Sequence, residues 1–265
     1  MRIILDHLKF PEGPCFDSSG NIWLVEKDAG NLVAVIGETH QRHHVDGAPN
    51  GIAIDKNNLI WFCDSKQNSI RTFDPILQKT TTMVDNFNGT ALKMPNDLTF
   101  TREGDLLFTC PGNSLNDNTG YICCFTREKE LFKIFEGMYY PNGLALNKNQ
   151  SHLFVAETGT KQIWKFNWDN KNKQLNEKTL FAETGGEVGP DGIAFDNEGN
   201  LYVAVYGSGK VRVWNENGKW LEDIAALGYN PTNCAIDPFA KKGLIITEAE
   251  TGILVQYLTK KRGII

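Results

Sequence analysis

Pro141-Asn142-Gly143-Leu144-Ala145-Leu146 is written into this chain six times, with variations. The other copies are Pro11-Glu12-Gly13-Pro14-Cys15-Phe16-Asp17, Pro49-Asn50-Gly51-Ile52-Ala53-Ile54-Asp55, Pro95-Asn96-Asp97-Leu98-Thr99-Phe100, Pro190-Asp191-Gly192-Ile193-Ala194-Phe195-Asp196 and Pro231-Thr232-Asn233-Cys234-Ala235-Ile236-Asp237. Each runs into a polar turn and then a second apolar run, such as Asn21-Ile22-Trp23-Leu24-Val25 or Asn200-Leu201-Tyr202-Val203-Ala204. From proline to proline the steps are 38, 46, 46, 49 and 41 residues. A period in this range, built from short alternating strands, signals a β-propeller with one repeat per blade. The expected fold is all-β, a six-bladed β-propeller with four-stranded blades, forming a single domain over 1–265.

Within the second repeat, strands are expected at Gly51–Asp55, Leu59–Asp64, Ser69–Phe73 and Thr80–Val84, separated by turn residues such as Lys56-Asn57-Asn58. The last repeat offers only three, Cys234–Asp237, Leu244–Glu248 and Gly252–Leu258. A sheet ending there would leave backbone groups unpaired at its edge. Residues 1–8 read as a lone strand, so the N-terminal strand is expected to complete the last blade and close the ring. The polar, turn-rich insertion 111–120 reads as a loop at one mouth of the ring, where substrate contacts are commonly carried. The Asn/Lys-rich stretch Asp169–Glu177 reads as a solvated hairpin without chemistry of its own.

The formal net charge of −5, with no basic run, argues against a nucleic-acid partner. The one local cationic cluster, His40, Arg42, His43 and His44, reads as the solvated edge of an outer strand. No apolar run approaches the roughly 20 residues of a membrane span, and Met1–Leu5 is too short and too soon interrupted by Asp6, His7 and Lys9 for a signal sequence. A soluble, cytoplasmic monomer is expected, with no membrane partner. The six cysteines fall in or beside strands without a CxxC pair and read as small buried hydrophobes, Cys123 and Cys124 facing opposite sides.

The first strand of each propeller blade lines the channel, so the residue after each proline recurs around one end of the axis. Those residues are Glu12, Asn50, Asn96, Asn142, Asp191 and Thr232. A dry channel would be filled by apolar side chains. Six oxygen-bearing ones, two of them carboxylates, describe converging hard ligands suited to Ca²⁺ or Mg²⁺ rather than a structural zinc. Turn chemistry accounts for Asn-Gly or Asp-Gly in a single repeat. It does not account for Glu12 at the same phase. Glu26, Asp64, Glu157 and Glu248, which end second strands, read as caps of inter-blade turns. There is no G-x-S-x-G elbow and no Ser or Cys with a visible activating base.

Phe10-Pro11-Glu12-Gly13-Pro14, Met94-Pro95-Asn96-Asp97-Leu98, Tyr140-Pro141-Asn142-Gly143-Leu144-Ala145 and Gly189-Pro190-Asp191-Gly192-Ile193-Ala194 resemble the motifs of the gluconolactonase/regucalcin (senescence marker protein) superfamily. Leu106-Leu107-Phe108-Thr109-Cys110-Pro111 resembles its FTDP stretch and Pro231-Thr232-Asn233-Cys234-Ala235 its last-blade motif. The resemblance spans the whole chain. It implies a six-bladed propeller with one catalytic divalent cation in the channel, held here by Glu12, Asn96, Asn142 and Asp191. The ion expected first is Ca²⁺, with Zn²⁺ or Mg²⁺ as alternatives. Two departures stand out. Cys110 replaces an acid of the FTDP stretch, and Met94 stands where regucalcin-like members carry a substrate-contacting Arg. Lys93 is adjacent, on the opposite side by strand alternation.

The expected function is hydrolysis of a small lactone, such as an aldonolactone. The cation would polarise the carbonyl, and Asp191, or second Glu12, would activate the attacking water. Asn50, Lys93, Met94, Asn116 and Thr232 are the candidate substrate contacts; Asn50 and Thr232 read equally well as channel lining. Two alternatives remain. One is phosphotriester hydrolysis of the fluorophosphatase type on the same ligands. The other is a non-catalytic scaffold like those built from NHL repeats, with a metal-free channel and a binding patch on the rim.

Overall fold

The computed structural model describes residues 1–264. Six four-stranded antiparallel sheets follow one another around a central channel. Their first strands are Pro11–Phe16 in blade 1, Pro49–Ile54 in blade 2, Leu98–Phe100 in blade 3, Pro141–Leu146 in blade 4, Gly189–Phe195 in blade 5 and Pro231–Ile236 in blade 6. Second strands return at Ile22–Glu26, Ile60–Asp64, Leu106–Cys110, His152–Glu157, Leu201–Tyr206 and Leu244–Glu248. Arg2–Leu5 supplies the fourth strand of blade 6, with Ile3 opposite Val255 in Ile253–Tyr257. The N-terminal strand therefore closes the ring, as its sequence position predicts. Among the described residues, no helix is long and apolar enough to cross a membrane.

The recurrence of the repeat has a packing cause. Each pair of neighbouring blades shares one apolar cluster, so every blade must present two apolar faces. Cys123 packs toward blade 2 and Cys124 toward blade 4, one on each face of its sheet. All six cysteines are free and only Cys15 is less than fully buried. The Asp that ends several first strands has a local cause too. Asp17 accepts from the N–H groups of Ser19 (2.9 Å) and Asn21 (2.8 Å). Asp55 does the same for Asn57 and Leu59, and Asp196 for Glu198 and Asn200. A carboxylate that folds the following turn back on itself sets the spacing between first and second strands.

The strand Thr39–His44 is exposed, as its charge suggests, although Arg42 reaches back to the buried Glu26 at 2.8 Å. The 169–177 stretch is a hairpin with a tighter turn than its composition suggests, since strands run to Asp169 and restart at Gln174. It also has a packing role: Lys173 pairs with the buried Asp105 of blade 3.

Candidate active site at one end of the channel

The residue after each repeat's proline is buried in all six blades: Glu12, Asn50, Asn96, Asn142, Asp191 and Thr232. What fixes their height is a second set of buried groups, at the ends of the second strands. Glu26 accepts from the N–H of Lys9 (3.3 Å), Asp64 from that of Ala48 (3.0 Å), Glu157 from that of Tyr139 (3.0 Å) and Glu248 from that of Asn230 (2.9 Å). Each donor lies just ahead of a first strand. These acids are inter-blade clamps, as expected. In blade 3 Cys110 occupies the clamp position, and the phenol oxygen of Tyr121 takes over by accepting from the N–H of Lys93 at 3.0 Å. The bond lost with the missing acid is thus replaced from the neighbouring strand.

Not every expected member of the ring faces the ligand space. The hydroxyl of Thr232 is turned into the wall, donating to the carbonyl of Pro11 at 2.7 Å and lying 2.8 Å from the hydroxyl of Thr247. In this position it joins blade 6 to blade 1, in keeping with the channel-lining reading of Thr232. Blade 6 offers Asn233 instead. The side-chain amide of Asn233 lies 3.5 Å from Asp97, and it also meets Glu12. Asp97 and Asn233 were not singled out by the proline phase. They occupy the position that is glycine in the other four copies, which is the signal that marks them. The glycines opposite make the room: a Cβ on Gly51 would lie 2.1 Å from the Asp97 carboxylate, and one on Gly192 1.9 Å from the Asn233 side chain. Asp97 and Asn233 thus extend across the channel over neighbouring blades that have no side chain there.

Of the remaining candidates, Met94 is exposed and held by an N–H bond to Asn68 (2.9 Å). Lys93 is half-buried and faces Asp117 of the insertion, while Asn116 is exposed at the loop tip. Asn50 is deep in the ring, and its side-chain oxygen has no hydrogen-bond partner in the chain.

Three carboxylates thus share one dry space. Burial pushes Glu12 above the usual carboxylate range, with the Lys27 ammonium opposing the shift. Burial, then the charge of Glu12, pushes Asp97 up to about 8. The same two causes, in the same order, hold Asp191 well above its ordinary value, against some relief from Lys27 and the Asn142 amide. Clustered like charges in low dielectric are costly unless protonated or paired with a cation. Among the described residues, no three His, Cys, Asp or Glu side chains form a ligand group by themselves. An ion in this ring would draw on the asparagine oxygens as well. The donor set is all oxygen and carries surplus negative charge, and one of its amide oxygens is unpartnered. It fits a hard divalent cation.

A pH dependence follows. The native state holds a proton on Asp97 up to about 8, whereas the unfolded chain releases it near the ordinary value of 3.8. Native stability contributed by that proton is complete at the acid end and is lost as pH rises through this window. In chelator-treated protein, Tm should fall by several degrees between about pH 5 and 8 from this source. Asp97→Asn should flatten the slope. A variant as steep as the wild type would show that Asp97 does not carry the effect.

Phe10 and Tyr140 directly precede the prolines of blades 1 and 4, Tyr206 ends the second strand of blade 5 and Lys27 follows that of blade 1, so all four lie toward the ring's end of the channel. The phenols of Tyr140 and Tyr206 are raised by burial and then by the nearby Asp191. Lys27 opens a short 3₁₀ turn, Lys27–Ala29, and its ammonium lies 5.1 Å from the centroid of the Phe10 ring. At the other end of the channel is a cavity of about 450 Å³, whose lining includes Ala53, Ala145, Ala194 and Ala235, with Asp97 and Asn233 toward the ring.

Residues 10–250 match the family model described as the SMP-30/gluconolactonase/LRE-like region. The chain is 24% identical to the gluconolactonase of Zymomonas mobilis, over 99% of this chain and 82% of that one. It is 26% identical to the diisopropyl-fluorophosphatase of Loligo vulgaris, over 95% of this chain and 90% of that one. Among solved structures it superimposes on a calcium-binding regucalcin from Agrobacterium tumefaciens with a TM-score of 0.87. That match covers 99% of this chain and 94% of the other at 17% identity, a likeness of fold.

Proposed function

Since the chain belongs to the SMP-30/gluconolactonase/LRE-like family, we propose that it hydrolyses a small lactone of the sugar-acid class at the Glu12–Asn96–Asn142–Asp191 ring. The observation that supports this reading is the burial of these four oxygen-bearing side chains at the same phase of four different blades, with Asp191 in interaction with Glu12 and Asn142. A divalent cation bound by the four, calcium first with magnesium or zinc as alternatives, would supply Lewis-acid polarisation of the lactone carbonyl.

The chain's own residues do the rest. Asp191 accepts a proton from the water that attacks the carbonyl carbon, and burial beside Glu12 raises its affinity for that proton. The proton then passes to the ring oxygen as the C–O ester bond breaks, giving a hydroxy acid. Glu12 is the second candidate for this role, with Lys27 moderating its charge. Asn50 lies in the same ring, its free amide oxygen available to a substrate hydroxyl. The walls of Phe10, Tyr140 and Tyr206 exclude water around the reacting bond and offer aromatic faces to a sugar ring.

Phosphotriester hydrolysis on the same ring is the second reading. The fluorophosphatase relative and the exposed, apolar Met94 favour it. Elemental analysis of purified protein tests the site first. About one divalent ion per chain is expected, lost in the Asn142→Ala/Asp191→Ala double variant. An aldonolactone panel and a phosphotriester then separate the two chemistries. A chain that takes up no metal after saturation and gentle desalting, and opens no lactone, would instead be a binding scaffold.

A further inference from the structure

Lys27 is not among the ring's oxygen donors, yet the fold holds it beside them. Its N–H donates to the carbonyl of Phe10 at 3.1 Å, and that of Asp28 to Lys9 at 3.2 Å. The turn is thereby pinned to the residues that lead directly into Glu12. Lys27 is half-buried with its ammonium near the Phe10 ring, and among the described residues no carboxylate closes on it as an ion pair. Glu12 and Asp191 both feel its charge.

The charges are layered along the channel. Asp97 lines the cavity at the far end, whereas Glu12 and Asp191 do not, so Asp97 lies a layer deeper. A divalent ion in the ring would balance Glu12 and Asp191. Lys27 is then the cation that flanks the ring from blade 1. The rim acids of blades 5 and 6, Glu187 and Glu250, are both engaged by Tyr229. Met94 brings no charge to the wall of blade 3. In a chain with a net charge of −5, Lys27 thus sets a cation backed by an aromatic ring beside Glu12 and Asp191. An ammonium partly desolvated on a ring face is a stronger partner for an anion than one free in water.

We propose that Lys27 is a specificity-determining residue whose ammonium pairs with an anionic substituent of the substrate, so that the preferred substrate is a lactone bearing a carboxylate rather than a neutral aldonolactone. This rests on the lactonase reading for the ring and adds the substrate class.

The test compares D-glucaro-1,4-lactone, which carries a carboxylate, with neutral D-glucono-1,5-lactone, using wild type, Lys27→Met and Lys27→Arg in the presence of calcium. Wild type should favour the acidic lactone in kcat/KM by about tenfold or more, the size of a good charge pair. Lys27→Met should erase most of that ratio, chiefly through KM, and Lys27→Arg should restore it. A ratio unchanged in Lys27→Met, or equal loss on both lactones, overturns the proposal. Calorimetric titration of glucarate, which needs no turnover, keeps the two readings apart. If neither lactone is opened, the hydrolase reading falls. Glucarate binding about tenfold weaker in Lys27→Met then still supports Lys27 as the anion contact. Absent binding, or equal binding in both proteins, overturns it.

Discussion

Asp191→Asn should lower kcat for lactone opening by about a thousandfold, within the range of a lost general base. The substitution keeps the size and one oxygen of the side chain but removes the basic one. Cation uptake should therefore weaken without vanishing, since Glu12, Asn96 and Asn142 remain. Asp191→Ala removes both functions and should lose both. Steady-state rates at saturating calcium, with calcium titrated separately by calorimetry, distinguish these outcomes. Near wild-type turnover in Asp191→Asn would exclude it as the base and direct attention to Glu12→Gln.

Removal of residues 1–8 should lower Tm by about 10 °C or more, given roughly 2–4 °C per kcal/mol for a domain of this size. Three losses combine. The pairings of Arg2, Ile3 and Leu5 with Ile253–Tyr257 disappear, leaving an open edge. Leu8, only 5% exposed, leaves the cluster it forms with Ile22, Leu24, Val33, Val35, Ile245 and Leu254. Its own burial contributes about 2 kcal/mol. The bond from its N–H to Gly252 (2.9 Å) goes as well. Leu8→Ala alone should reproduce part of the shift by cavity formation. A truncated chain melting at the wild-type temperature would mean that blade 6 is stable with three strands.

The fold was legible because each blade solves the same packing problem twice over, and the solution is local. A Pro-initiated first strand, an Asp that caps the next turn and an apolar second strand recur at nearly constant spacing. The deficit at the end of the last repeat pointed to its missing strand. The burial of Glu12, Asn96, Asn142 and Asp191 was legible for the same reason, their place after the proline being fixed by phase. What phase does not encode is which side chain crosses the channel. Thr232 sits at the right position, but a hydroxyl is short and finds the Pro11 carbonyl first. Asp97 and Asn233 reach the centre from one position later because Gly51 and Gly192 leave them space, a relation between different blades. Tyr121 replacing the clamp lost at Cys110 is likewise a contact between strands. Lys27 escaped notice because a lysine after a strand is ordinarily solvated; only the 3₁₀ turn after Glu26 brings it beside Glu12 and Asp191.

The join between Arg2–Leu5 and Ile253–Tyr257 also dictates an order of events in time. Within a blade, neighbouring strands meet across a few residues and can form as soon as they are synthesised. Of the strands described here, Arg2–Leu5 is made first and its partner last, so it waits, apolar and unpaired, while every other blade is assembled. Long-range pairings of this kind form late and leave sticky intermediates exposed. The risk period is thus the interval before these two strands meet, when an open ring can find the edge of another copy instead of its own.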